Sequence, residues 1–544
     1  MKRIVLALVV GCVIAPAQPS VNPGGILNVA SYAPPGLPNA SIAQGSLFAI
    51  FGTGLGPSTG VQVSSFPLTP DGFQGTSVSV TVAGNTLKAP VLYTSANQVN
   101  AMLPSATGVG SGTLTVSYNG RTSSPVAIAV TANSFGNFAV NQAGSGPGVI
   151  TNANYQALNF TNAANPGEPM ILWGTGLGPV AGDENAGPLP GNMPSLPVKL
   201  YVGNQQATIT YQGRSGCCSG VDQITFTVPS NVTGCAVPVA VQIGGTVSNF
   251  VTMPIASSGR VCSDSSVFSS TLLAQLSTKG SVAIGGVSLL RETGTTSGMP
   301  MTADSAGGSF ARYSFSNFEQ YLAYLPVQTV GACSVLTFKG SDVTEGPTVA
   351  STALDAGNAL TLNGPGGTTA QLMLISQGNY DSALGGGSSG KPLFFTAGSY
   401  TALGPGGADV GAFQATVQFA ANFAWTNQNS ITAVTRSQGV TVSWTGADAA
   451  NGIYVTGFSA GGSDPNNLIA GSFSCHAAGA SGSFTVPAYV LLALPPSYTV
   501  PGLSLPTGSL GVSSGTSYQT FSAPGLDLGF IGSSVEISQA VTYE

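Results

Sequence analysis

The strongest constraint on this chain is that it repeats itself. Residues 48–57 read FAIFGTGLGP, and residues 170–179 read MILWGTGLGP, 122 positions later. Gly45 and Gly167 keep that offset, and Asn97-Gln98-Val99 with Pro104 is echoed by Asp222-Gln223-Ile224 with Pro229. A repeat of about 120 residues is the size of one small domain, so two related modules are expected over 18–140 and 141–262. Inside each, apolar residues recur at every second position. Val78, Val80 and Val82 alternate with Ser77, Ser79 and Thr81, and Leu114, Val116 and Tyr118 lead into Asn119-Gly120. Ile224, Phe226 and Val228 repeat the pattern, and Val239, Val241 and Ile243 end at Gly244-Gly245. Period two marks half-buried strands, and Asn-Gly tolerates the positive φ of a tight hairpin. Short strands punctuated by Gly, Pro and Asn predict an immunoglobulin-like β-sandwich in each module.

Composition explains what else the 544 residues cannot be. Only 6% are charged, against roughly a quarter in ordinary soluble domains, while glycine reaches 75 and proline 36. Seven Glu and six Lys leave little material for amphipathic surface helices, which excludes coiled coils and helical bundles. A net charge of −6 offers no basic face for nucleic acid, and a single histidine, His476, excludes chemistry built on several. The fold class expected is all-β throughout: two tandem sandwiches followed by further β-sandwich units over 263–420 and 421–544, or by a single larger domain, since a Cys333–Cys475 bond would cross that boundary. Val440, Val442 and Trp444 mark the clearest strand of that second half, and Ser269–Ser277 could form a helical turn or two.

Lys2-Arg3, the apolar run Ile4–Ile14 and Ala15-Pro16-Ala17 read as a secretory signal peptide over 1–17. Cys12 as a lipoprotein acylation site is the rival reading. No later segment reaches the length of a membrane-spanning helix, so no transmembrane anchor is expected in the mature chain. Six cysteines remain, an even number that favours disulfides in an exported chain. Bonding the neighbours Cys217 and Cys218 to each other is uncommon, so one each to Cys235 and Cys262 is the expectation. Cys333 and Cys475 then close a long loop.

The IFGTGLGP strand and turn resemble the IPT/TIG type of immunoglobulin-like module. Paired GTGLGP modules with the run GCCSGVDQITFTVPSNVTGC, residues 216–235, look like a group of uncharacterised exported bacterial proteins. The resemblance covers residues 25–262. It implies an extracytoplasmic, multi-module, all-β architecture and no catalytic residue. Gly52, Gly54, Gly56 and their counterparts Gly174, Gly176 and Gly178 are read as turn glycines, since Pro57 and Pro179 stand where a dinucleotide motif needs glycine. Ser388 satisfies G-x-S-x-G, but only His476 could serve it. Gly404–Asp409 approaches a calcium-binding repeat in a single copy, and Asp183-Glu184 and Asp342 with Glu345 are ordinary loop acids. Trp173, matched to Phe51, and Trp425 and Trp444 are expected in the core. The function expected is that of an exported, non-enzymatic structural or adhesion protein, without cofactor or metal. Its partners are undefined, self-association or an extracellular glycan or protein being the options. The alternatives are carbohydrate binding and, behind it, hydrolysis of an extracellular polymer.

Overall fold

The computed structural model describes residues 18–544 apart from 70, 265–266, 297–298, 340–346, 448–450, 463–467, 499–506 and 516–517. The signal peptide expected over 1–17 lies outside the described residues. Strands dominate, and each of the first two modules is a pair of sheets closed over its own core.

In the first module β1 (Ser20–Asn28) pairs with β2 (Leu47–Thr53), and β2 with the strand Gln98–Met102. The facing sheet brings Val78 opposite Val116 and Val80 opposite Leu114. The valines are buried and the alternate hydroxyl residues half-exposed, which is what a period of two dictates. Asn119 and Gly120 both adopt positive φ at the predicted turn. In the second module β3 (Ile150–Asn152) pairs with β4 (Pro169–Thr175). β4 also pairs with β6 (Asp222–Thr227), which is joined to β5 (Thr208–Arg214) by the Cys217-Cys218 turn. The repeat extends to register: Phe51 faces Gln98 in one copy, and Trp173 faces Gln223 in the other. The tandem immunoglobulin-like architecture is therefore a property of both sequence and structure.

The disulfides correct the expected pairing of Cys217, Cys218, Cys235 and Cys262 and agree with that of Cys333 and Cys475. Cys217 bonds Cys218, Cys235 bonds Cys262 and Cys333 bonds Cys475. The reason is strand direction. Cys217 and Cys218 lie where β6 begins, whereas Cys235 opens β7 (Gly234–Ile243), reached only after β6 has run the length of the module at roughly 3.3 Å per residue. Cys235 and Cys262 meet instead in a buried cluster with Phe160 and Phe318.

Past residue 262 helices interrupt the strands, two of them near the start of this half. Helix α1 (Ser270–Lys279) is capped by Ser269 and ends at Gly280, whose φ of 75° is left-handed. β8 (Ser281–Thr296) and β9 (Met299–Ser314) form a long hairpin, followed by α2 (Phe315–Tyr324). β10 (Cys333–Lys339), β11 (Gly452–Gly461), β12 (Ile469–Ala478), β13 (Gly508–Gly515) and β14 (Leu528–Tyr543) then join β8 and β9 in one sheet. Its far edge, the strand Phe413–Phe419, curls back so that Ser533 donates to the Gln418 carbonyl at 2.8 Å. Aromatic residues fill the interior, with Phe395 stacked on Phe419 at 4.6 Å. The boundary placed near 420 therefore falls inside a single β unit. Sequence reading divided it because strands adjacent in this sheet lie far apart in the chain, as Ile284 of β8 and its partner Leu528 of β14 do.

Candidate functional site

The second GTGLGP turn sits where the first two modules meet, while the first lies within its own module, against Ser20, Thr94 and Ala96. Gly52 and Gly174 lie in strands so close to a neighbour that a Cβ would stand 2.1 Å from the Ser20 carbonyl oxygen and 2.3 Å from that of Gly136. Gly54, Gly176 and Gly178 take positive φ, and Gly56 packs against Thr94. In the second copy the turn is held by a charge. The Asp222 carboxylate accepts the N–H groups of Gly176 and Leu177 at 2.7 and 2.8 Å, and its other oxygen lies 2.8 Å from Arg214 Nε. Arg214 in turn donates to the carbonyls of Gly178, at 2.8 Å, and of Gly45 in the first module. Both side chains are withdrawn from water, at 1% and 0% exposure. Burial pushes the Asp222 carboxyl up to about 6, against the opposing pull of Arg214 and the two turn N–H groups. The first copy needs no such pair: Asn97 stands there, and its carbonyl accepts the Gly52 N–H.

Further contacts stitch the same interface. Thr175 Oγ1 donates to the Gly220 carbonyl and accepts the Leu47 N–H at 2.9 Å. Glu184 receives both the N–H and the hydroxyl of Ser105. The loop acid Glu184 is thus an inter-module clasp, while Asp183 accepts the nearby Asn185 N–H.

The repeat also presents aromatic residues at the surface of each module. Tyr32 follows β1 with φ 49°, and Tyr155 follows β3 with φ 61°. Each sits on a turn built by an asparagine: Asn28 Oδ1 accepts from Ala30 and Ser31, and Asn152 Oδ1 from Asn154 and Gln156. The Tyr32 ring lies 6.4 Å from Phe51 at a tilt of 40°, and the Tyr155 ring 6.1 Å from Trp173 at 42°. Phe51 and Trp173, expected in the core, are only half-buried, because they occupy the outward side of β2 and β4. Trp425 and Trp444 are buried. A cleft of about 620 Å³ opens beside Tyr32 and Phe51, bounded also by Asn22, Gln320, Tyr324 and Phe338. Tyr324 accepts from Asn141 Nδ2 at 2.8 Å, which fastens α2 to the second module. The paired tyrosines were missed in the sequence because the asparagine-to-tyrosine spacing differs by one residue between copies.

The other motifs are not brought together. Ser388 sits on an exposed turn six strands away from β12 in the sheet order, whereas His476 on β12 stacks on Tyr454 at 4.7 Å and meets the Gln328 carbonyl through Nδ1 at 2.7 Å. Burial lowers the His476 pKa. Asp409, at the calcium-like motif, accepts the Asp355 N–H, and Asp355 accepts those of Gly357 and Ala408. No group of three potential metal ligands exists among the described residues. Asp342 and Glu345 lie outside the described residues.

No model of a protein family matches the chain, and no curated protein does. Among solved structures it is similar to the extracellular region of plexin A4, at 15% identity over 44% of this chain and TM-score 0.17; the match spans 18% of that protein. It is similar to a Bacteroides ovatus protein, SGBP-B of a mixed-linkage glucan utilization locus, at 11% identity over 87% of this chain and 97% of that one, TM-score 0.13. Domains 5–6 of the S-layer protein SbsC match at 12% identity over 44% and 98%, TM-score 0.15. Likenesses this weak carry no argument about function, which rests on the chain's own geometry.

Proposed function

We propose that this chain is an exported, non-enzymatic structural protein of the cell surface or extracellular matrix, which holds loops at fixed spacing for adhesion or self-association. The observation that supports this reading is the buried Arg214 node. A guanidinium shared between Gly45 of one module, Gly178 of the next and Asp222 cannot rotate or be hydrated without breaking several charge-assisted bonds at once. Tandem sandwiches joined in this way act as one stiff body, unlike modules on flexible linkers. The three disulfides suit an oxidising compartment. No helix among the described residues is long and apolar enough to cross a membrane. A surface with few charges permits lateral association. The kinship with exported proteins carrying IPT/TIG-type modules belongs to the same proposal.

Electron microscopy and small-angle scattering of residues 18–544 test it. A single rigid outline, with ordered filaments or sheets as concentration rises, is the expected result. Independent tumbling of the modules, or polymer turnover abolished by one Asp or Glu substitution, overturns it.

A further inference from the structure

We infer that the two tyrosine–aromatic pairs are equivalent subsites for a neutral glycan. This goes beyond the rigid-body reading and does not depend on it. The argument starts from the backbone. A bulky residue at positive φ is an outlier, and the turn that holds Tyr32 and Tyr155 could be made without strain by glycine or asparagine. Both copies carry tyrosine instead. Burial does not account for it: Tyr155 is 68% exposed, so its ring contributes little to any core. Strain kept at the exposed Tyr155, and repeated at the half-buried Tyr32 beside the cleft, points to a task for the ring.

What the ring does follows from its neighbours. In each copy it leans on a second ring, Phe51 or Trp173, to make a shallow two-ring surface. Asn152, Asn154 and Gln156 surround the exposed copy; Asn22, Ser31 and Gln320 border the other. Lys339 is the only charged residue among the described residues lining the cleft. Aromatic faces flanked by neutral amides and hydroxyls suit a ligand whose rings offer C–H faces and whose edges offer hydroxyls. They offer no cluster of cations for phosphate or sulfate. A sugar ring stacked on the tyrosine, with its hydroxyls on the amides, satisfies both halves of the surface. Two subsites on one chain can engage one polymer together, so its avidity exceeds either single affinity.

Retention of the full mature chain in gels containing a soluble glucan, mannan or xylan, with heparin as the anionic comparison, reads this directly. Retardation by at least one neutral polymer and none by heparin is expected. Tyr155→Gly is the decisive variant, since glycine suits the φ of 61° and keeps the turn. It should retain the parent Tm while weakening binding, and Tyr32→Gly/Tyr155→Gly together should lose about 100-fold or more as avidity disappears. Tyr518→Ala, at another exposed ring, should bind as the parent does. The inference is overturned if no neutral polymer is retained, if heparin alone binds, or if the double glycine variant binds fully. A Tm loss in Tyr155→Gly with binding intact would make the tyrosine structural and would equally overturn it.

Discussion

Arg214 and Asp222 are dry, so removing one partner strands the other as an uncompensated buried charge. Arg214→Met should cost about 3–5 kcal/mol in denaturant unfolding, whereas Arg214→Met/Asp222→Leu should recover a part of that. A loss below ~1 kcal/mol would mean that the pair behaves like an exposed one. The only trace of this node in the sequence was the change from Asn97 to Asp222 between copies. A charge gained at an inward repeat position implies a cation nearby, but nothing in the local pattern says which one. A second buried carboxyl, Asp264, has the Cys235 N–H but no cation beside it among the described residues, and burial raises it to about 6. An unfolded aspartate titrates near ~3.9, so the folded chain holds this proton longer. Its contribution to stability is complete below about 4 and is lost as pH climbs through about 6. Asp264→Asn should therefore remove a fall of up to ~3 kcal/mol between those limits, measured as urea midpoints against pH. Parallel pH profiles for variant and parent would sink this.

Among the elements, the strands were legible because period two is a local property: Val78, Val80 and Val82 had to share a face whatever they paired with. α1 was visible through its run of Leu and Gln after Ser269. α2 was not, since its apolar residues Phe318 and Leu322 lie in a chain otherwise poor in helix formers and directly after a 16-residue strand. What starts it is Ser314, whose hydroxyl accepts the Asn317 N–H at 3.2 Å. Ser314→Ala should lower stability by about 1 kcal/mol, read as a drop in Tm, while Ser316→Ala next to it should change little. The helix matters because Tyr324 at its end carries the contact with Asn141, so a frayed α2 would also loosen one wall of the cleft.

For the whole molecule, the disulfides divide by exposure. Cys217 and Cys218 are exposed, whereas Cys235, Cys262, Cys333 and Cys475 are buried. Mild reduction of the native chain followed by alkylation should label Cys217 and Cys218 first, as peptide masses will show; early labelling at Cys475 would contradict the fold. Cys333–Cys475 closes a loop of 142 residues across the C-terminal sheet, and its removal should cost about 4–5 kcal/mol on chain-entropy grounds.

The class and the repeat follow from local pattern: alternation, hairpin glycines and scarce charge admit only short strands with polar turns, and each of these acts within a few residues. The tertiary structure alone decided that Cys217 meets Cys218, that residues on both sides of 420 share one sheet, that Arg214 reaches Gly45 and that two strained tyrosines lean on Phe51 and Trp173. Those encounters, some between residues as far apart in the chain as Ile284 and Leu528, are set by strand order and register, and no local periodicity encodes them.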